Sequence, residues 1–112
     1  LKIEELCSKL SLNVLVPLED YSEEINTAIT GDLLSFIMGH ALPGSVWLTV
    51  QNHLNVAAVA VLKEMPMIVL TAGRQPSTDL VDRCREEGIC LSTTPESTFA
   101  VISQMTKLGL KG

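Results

Sequence analysis

Aromatic residues make up only 4 % of this 112-residue chain. Its core must therefore be assembled from Leu, Ile, Val, Ala and Met, which suits helices layered on a sheet. Basic residues are also scarce: eight Lys and Arg stand against thirteen Asp and Glu, for a formal charge of −5. So few cations, scattered along the chain, cannot neutralise a run of phosphates, and nucleic acid is excluded as the expected partner. Long apolar runs are missing. The longest, Val56 to Leu62, falls far short of the ~20 residues that span a bilayer. There is neither a basic amphipathic helix nor a signal-peptide pattern. These absences predict a soluble, cytoplasmic protein with no membrane partner.

Cysteine is limited to Cys7, Cys84 and Cys90, an odd number at irregular spacing that fits neither a disulfide framework nor a metal knuckle. They read as ordinary small apolar residues, and no metal or cofactor is expected. The glycine-rich phosphate signatures GxxxxGK[ST] and GxGxxG do not occur, nor does the nucleophile elbow GxSxG. The chain begins at Leu1, as a piece cut from a longer protein would.

What is present is enough apolar sequence, 46 %, for one core, so residues 1–112 are expected to form a single domain. Ile3, Leu6, Cys7 and Leu10 follow helical spacing, and Asn13 to Val16 reads as a short strand closed by Pro17. Ile25 to Thr30 alternates as a half-buried strand. From Gly31 the period changes, with Leu33, Leu34, Ile37 and Met38 on one helical face that stops between Gly39 and Pro43. Val46 to Val50 is the next strand. Leu54 to Met65 is apolar enough to be ambiguous, but its length and its alanines predict a buried helix.

Met67 to Leu70 is wholly apolar, as in the middle of a sheet covered on both faces. Ser77 caps a helix carrying Leu80, Val81 and Cys84 and ending at Gly88. Ile89 to Leu91 is the last strand. Thr94 and Pro95 are read as N-cap and first turn of a final helix bearing Phe99, Val101, Ile102, Met105 and Leu108, with Lys107 to Gly112 fraying. The order β-α-β-α-β-α-β-α from Ile25 onward predicts an α/β class: alternating units around a small, largely parallel sheet covered by helices.

Ligands of such sheets bind beyond the carboxyl ends of the strands. Four loops occupy that position: Thr30 to Asp32, Thr49 to His53, Thr71 to Arg74, and Ser92 to Thr94. Their small and polar residues serve turns and caps in any case, or they converge into one crevice. The candidate ligand-binding residues are Gly31, Asp32, Gln51, Asn55, Thr71, Gly73, Arg74, Thr94 and Thr98. Gly73 would let backbone N–H groups approach a small anionic ligand, and Arg74 would offer it a bidentate donor. Asp32 is first of all a helix N-cap; its other readings are a metal ligand or the nucleophile of a small enzyme or phosphotransfer-related domain. No catalytic set accompanies it. His40 and His53 have no acidic or cysteine partner close in sequence.

Gly31-Asp32 opening a helix, Gln51 to Val56 with the Ala-Val run after it, Met67 to Gly73 ending in Thr-Ala-Gly, and Thr94 to Phe99 together resemble the DRTGG domain family over nearly the whole chain after the first helix. The family's Asp-Arg pair falls on Asp32 and Leu33, so the arginine is lost, and its Thr-Gly-Gly falls on Thr71, Ala72 and Gly73. Arg74 is placed to substitute. The resemblance implies a fold similar to the N-terminal domain of HPr kinase/phosphorylase. It also implies a non-catalytic regulatory or interaction role, alone or beside CBS modules. Some small relatives are described as iron–sulfur or hydrogenase-associated, and a redox accessory role is the corresponding alternative. A second copy covering exposed faces of so small a sheet would make a homodimer.

Overall fold

Alternation of side chains across the strands decides the layering. The structure, a computed structural model, describes residues 1–112. Trp47, Ile68, Leu70 and Leu91 point to one side of the sheet, while Val46, Leu48, Met67, Val69 and Cys90 point to the other. Each side therefore needs its own cover. On the first lie α2 (Leu34–His40), α3 (Asn55–Leu62) and α4 (Thr78–Glu87), through Ile37, Val56, Ala60, Leu80 and Cys84. On the second lie α1 (Ile3–Lys9) and α5 (Thr98–Lys107), through Ile3, Leu6, Val101 and Met105. Burying each large aliphatic side chain contributes about 1.5–3 kcal/mol, so both layers are needed to hold the sheet flat against its helices.

The five strands are β1 (Asn13–Val16), β2 (Ala28–Thr30), β3 (Val46–Thr49), β4 (Met67–Leu70) and β5 (Cys90–Thr93), in the spatial order β1-β5-β4-β3-β2. β2 through β5 are mutually parallel, and β1 joins the β5 edge antiparallel. The wholly apolar β4 is the central strand and buried along its whole length. The ambiguous apolar segment is a helix. No helix is long and apolar enough to cross a membrane.

Several local expectations are corrected. The strand expected over Ile25 to Thr30 is confined to Ala28–Thr30: Ile25 is buried on the second side of the sheet, with α1 and α5, and donates to the Leu1 carbonyl, so the segment before Ala28 pairs elsewhere. Asp32 is not the N-cap of α2; Leu33 occupies that place without a side-chain bond. Thr94 does not cap α5 either. Ser97 does, its hydroxyl accepting from the Ala100 amide at 3.1 Å. Phe99 is 83 % exposed and forms no part of the core. The tail does not fray: Leu110 is buried, and Lys111 bonds to Asn26 and Ala28 beside β2. Finally, both sheet faces are covered by the chain's own helices, so a second copy has no bare sheet to cover.

Candidate functional site

All four polar loops do emerge at one edge, because parallel strands β2 to β5 end there together. Hydrogen bonds tie each loop to the next. Asp32 is exposed, and one of its carboxylate oxygens, Oδ1, accepts from the Thr49 hydroxyl at 2.8 Å and the Val50 amide at 2.9 Å. Thr49 Oγ1 accepts in turn from the Gln51 amide at 3.1 Å. Arg74 Nε donates to the Val50 carbonyl at 3.0 Å, Asn52 Nδ2 donates to the Gln75 carbonyl at 2.7 Å, and Ser77 N donates to the Asn52 carbonyl. The Thr71 and Thr98 hydroxyls share a hydrogen bond, which anchors α5 to the end of β4.

The turn Thr71-Ala72-Gly73-Arg74 closes with Arg74 N donating to the Thr71 carbonyl, and Ala72 and Gly73 both take positive φ, 56° and 71°. Two left-handed residues in succession are the requirement of a type I′ turn, which favours glycine at the second position. The amides of this turn are not free. Ala72 donates to the Glu96 carbonyl at 2.7 Å and Gly73 to the Thr94 carbonyl at 3.0 Å. The expectation that Gly73 opens backbone N–H groups to a ligand is thereby corrected: they fasten the third loop to the fourth.

Among the other expected residues, Gly31 serves packing, its carbonyl accepting from Trp47 Nε1 at 3.0 Å. An added Cβ there would meet Ile37 Cδ1 at 3.3 Å. Thr71 and Thr94 are buried, and Thr94 Oγ1 accepts from the Glu96 amide at 3.2 Å. They hold the loops and do not face solvent. Asn55 is exposed at the first turn of α3 and makes no side-chain hydrogen bond to the other loops. Gln51 is half-buried.

Solvent at this edge meets the Arg74 guanidinium, whose terminal nitrogens make no ion pair, Phe99 on the first turn of α5, and the exposed acidic residues Asp32 and Glu96. That turn contains no acidic residue, so its unbonded amides keep their attraction for negative charge. Phe99 was legible in principle: two residues before Val101, it lies on the opposite side of the helix from the Val101–Met105 stripe.

Two cavities lie away from this edge. One, of about 160 Å³, is lined by Ala28, Ile29, Leu48, Ile102, Met105 and Leu110 among others. The other, about 230 Å³ and more open, lies where α3 and α4 end, beside Pro66. No three His, Cys, Asp or Glu side chains gather into a metal-binding group. Burial pushes the Cys84 thiol up to about 12. Cys7 lies against Cys90, which holds Cys7 below its ordinary value, while Cys7 and burial push Cys90 up.

The sequence matches no family model and no curated protein. Among solved structures, the fold is similar to the crystal structure of the CBS and DRTGG domains of the regulatory region of Clostridium perfringens pyrophosphatase, complexed with the activator diadenosine tetraphosphate. The TM-score is 0.77 at 13 % identity, over 92 % of this chain and 45 % of that one. This chain thus spans less than half the length of that regulatory region. The shared property is the fold, a DRTGG-like α/β domain.

Proposed function

We propose that this chain is a non-catalytic, cytoplasmic regulatory module that senses a small anionic ligand at the carboxyl edge of its sheet. The observation that carries the reading is the interlocked edge: four loops braced by their own hydrogen bonds, with the Arg74 guanidinium, the free amides of α5 and the exposed Phe99 left to solvent. Arg74 would pair with phosphate oxygens, and Phe99 would offer a flat apolar surface for a base. Bracing of the remaining groups supplies a rigid platform, which lowers the ordering cost of binding. A nucleotide is the natural first probe, since the structurally similar regulatory region is complexed with one.

The enzymatic alternative has no comparable arrangement behind it. Asp32 is bonded to a hydroxyl and an amide, neither of which serves as a titratable partner in acid–base work. The regulatory reading also includes a second copy, met through helices rather than through the sheet.

Thermal shift and calorimetric titration with AMP, ATP, diadenosine tetraphosphate and inorganic phosphate test the ligand reading. Stabilisation by a nucleotide that weakens by about tenfold or more in affinity on Arg74→Ala is the expected outcome, and Phe99→Ala should affect nucleotides more than phosphate. If none of the four probes stabilises the protein, ligand sensing at this edge is refuted.

A further inference from the structure

The sheet separates the three thiols of the chain. Side chains of β5 alternate, so Cys90 enters the side covered by α1 and α5 while its neighbour Leu91 enters the other. Cys84, on α4, lies on the side of Leu91. Cys7 follows Ile3 and Leu6 on α1, in the stripe that packs this helix onto the same side as Cys90.

That stripe brings Cys7 onto Cys90, and a thiol–thiol hydrogen bond joins residues from opposite ends of the chain. The backbone fixes both partners. The Cys7 carbonyl accepts from the Leu12 amide, immediately before β1, and β1 pairs with β5. The Cys90 amide donates to the Pro66 carbonyl at 2.9 Å. Exposure differs between the two: Cys7 is half-buried, whereas Cys90 is fully buried. A reagent arriving from solvent therefore meets Cys7 first, with Cys90 directly behind it and Cys84 across the sheet.

We propose that Cys7 and Cys90 form a reversible disulfide that clamps α1 to β5 when the chain meets a small-molecule disulfide such as oxidised glutathione. The bond stands apart from the ligand-sensing edge and does not depend on it. Cys7, whose thiolate is favoured by its neighbour's S–H, attacks one sulfur of the reagent. The reagent's S–S bond breaks, and its other half leaves as a thiolate that takes up the Cys7 proton. Cys90 then loses its own proton and attacks Cys7 Sγ in the mixed disulfide, expelling the second half of the reagent as a thiol. Two electrons pass from the two protein thiols to the reagent, which ends as two free thiols. The new bond closes a loop running from α1 to β5, which restricts the unfolded chain far more than the folded one.

Incubation of the chain with oxidised glutathione, followed by alkylation of free thiols and peptide mapping by mass spectrometry, tests the proposal. A Cys7–Cys90 cross-link that dithiothreitol reverses is the expected product, and the bridged chain should melt about 10 °C or more above the reduced one. Cys84→Ala should bridge as the wild type does, whereas Cys90→Ala should stop at glutathione bound to Cys7. A wild type that does not react, that stops at the mixed disulfide, or that bridges through Cys84 overturns the pairing. A Cys7–Cys90 cross-link that leaves Tm unchanged overturns the clamp.

Discussion

Replacing Asp32 with alanine distinguishes a structural strut from a reactive group. Oδ1 accepts from the Thr49 hydroxyl and the Val50 amide, and Thr49 is only 1 % exposed. Hydrogen bonds to a charged acceptor contribute about 1.5–3 kcal/mol each. The Thr49 hydroxyl would lose its acceptor in a buried place, whereas Val50 is half-buried and water can replace part of its bond. The expected cost is therefore about 2–3 kcal/mol, nearer one full bond than two. For a domain of this size that lowers Tm by roughly 8–12 °C. Asp32→Asn keeps an acceptor at neutral strength and should cost about 1 kcal/mol. Urea denaturation of both variants, and of Thr49→Val alone and combined with Asp32→Ala, gives the coupling directly. An Asp32→Ala variant within about 0.5 kcal/mol of wild type, or an Asp32–Thr49 coupling of zero, would refute the strut.

Other consequences concern the cap, the tail and the buried thiols. Ser97→Ala should destabilise by about 1 kcal/mol because the Ala100 amide loses its acceptor; equality with wild type in a denaturant titration would deny Ser97 that role. Leu110→Ala should cost about 2–5 kcal/mol, since Leu110 is buried beside Met105 and Ile25, whereas a fraying tail would show no loss. Cys84 sits at about 12 in the folded state against an ordinary 9.0. A folded pKa above the unfolded one means its stabilisation is complete below pH 9. It is lost as pH rises from 9 towards 12, at about 1.4 kcal/mol per pH unit, because the unfolded thiol ionises first. Stability measured over that window should fall less steeply in Cys84→Ala, and an identical slope would refute the assignment. Half-buried Cys7 should react with a thiol reagent before buried Cys84 and Cys90, as mass spectrometry of partly labelled protein can check.

Much of this was legible residue by residue. Period-two and period-3.6 patterns placed the elements after Gly31, and the four polar loops at one sheet edge followed from their order alone. Local rules failed where two residues competed for one job. Asp32 and Thr94 both have good capping chemistry, yet Asp32 is drawn to a tertiary partner and Thr94 to a local turn two residues on. Thr49 and Val50 capture Asp32, and the Glu96 amide captures the Thr94 hydroxyl. Leu33 and Ser97 are left at the helix starts.

Composition and periodicity alone determined the class of fold, because the direction in which a side chain must point is a property of local backbone geometry. The scarcity of cations and of long apolar runs likewise set the expectations about nucleic acid and membranes without any structure. Only the tertiary structure decided the antiparallel place of β1, the anchoring of Lys111 beside β2, the bonding of Asp32 to Thr49 and Val50, and the use of the Gly73 amide as a brace between loops. Each of these pairs groups that are distant in sequence. The energy of such a pair depends on what else has already packed around it, and no local pattern records that.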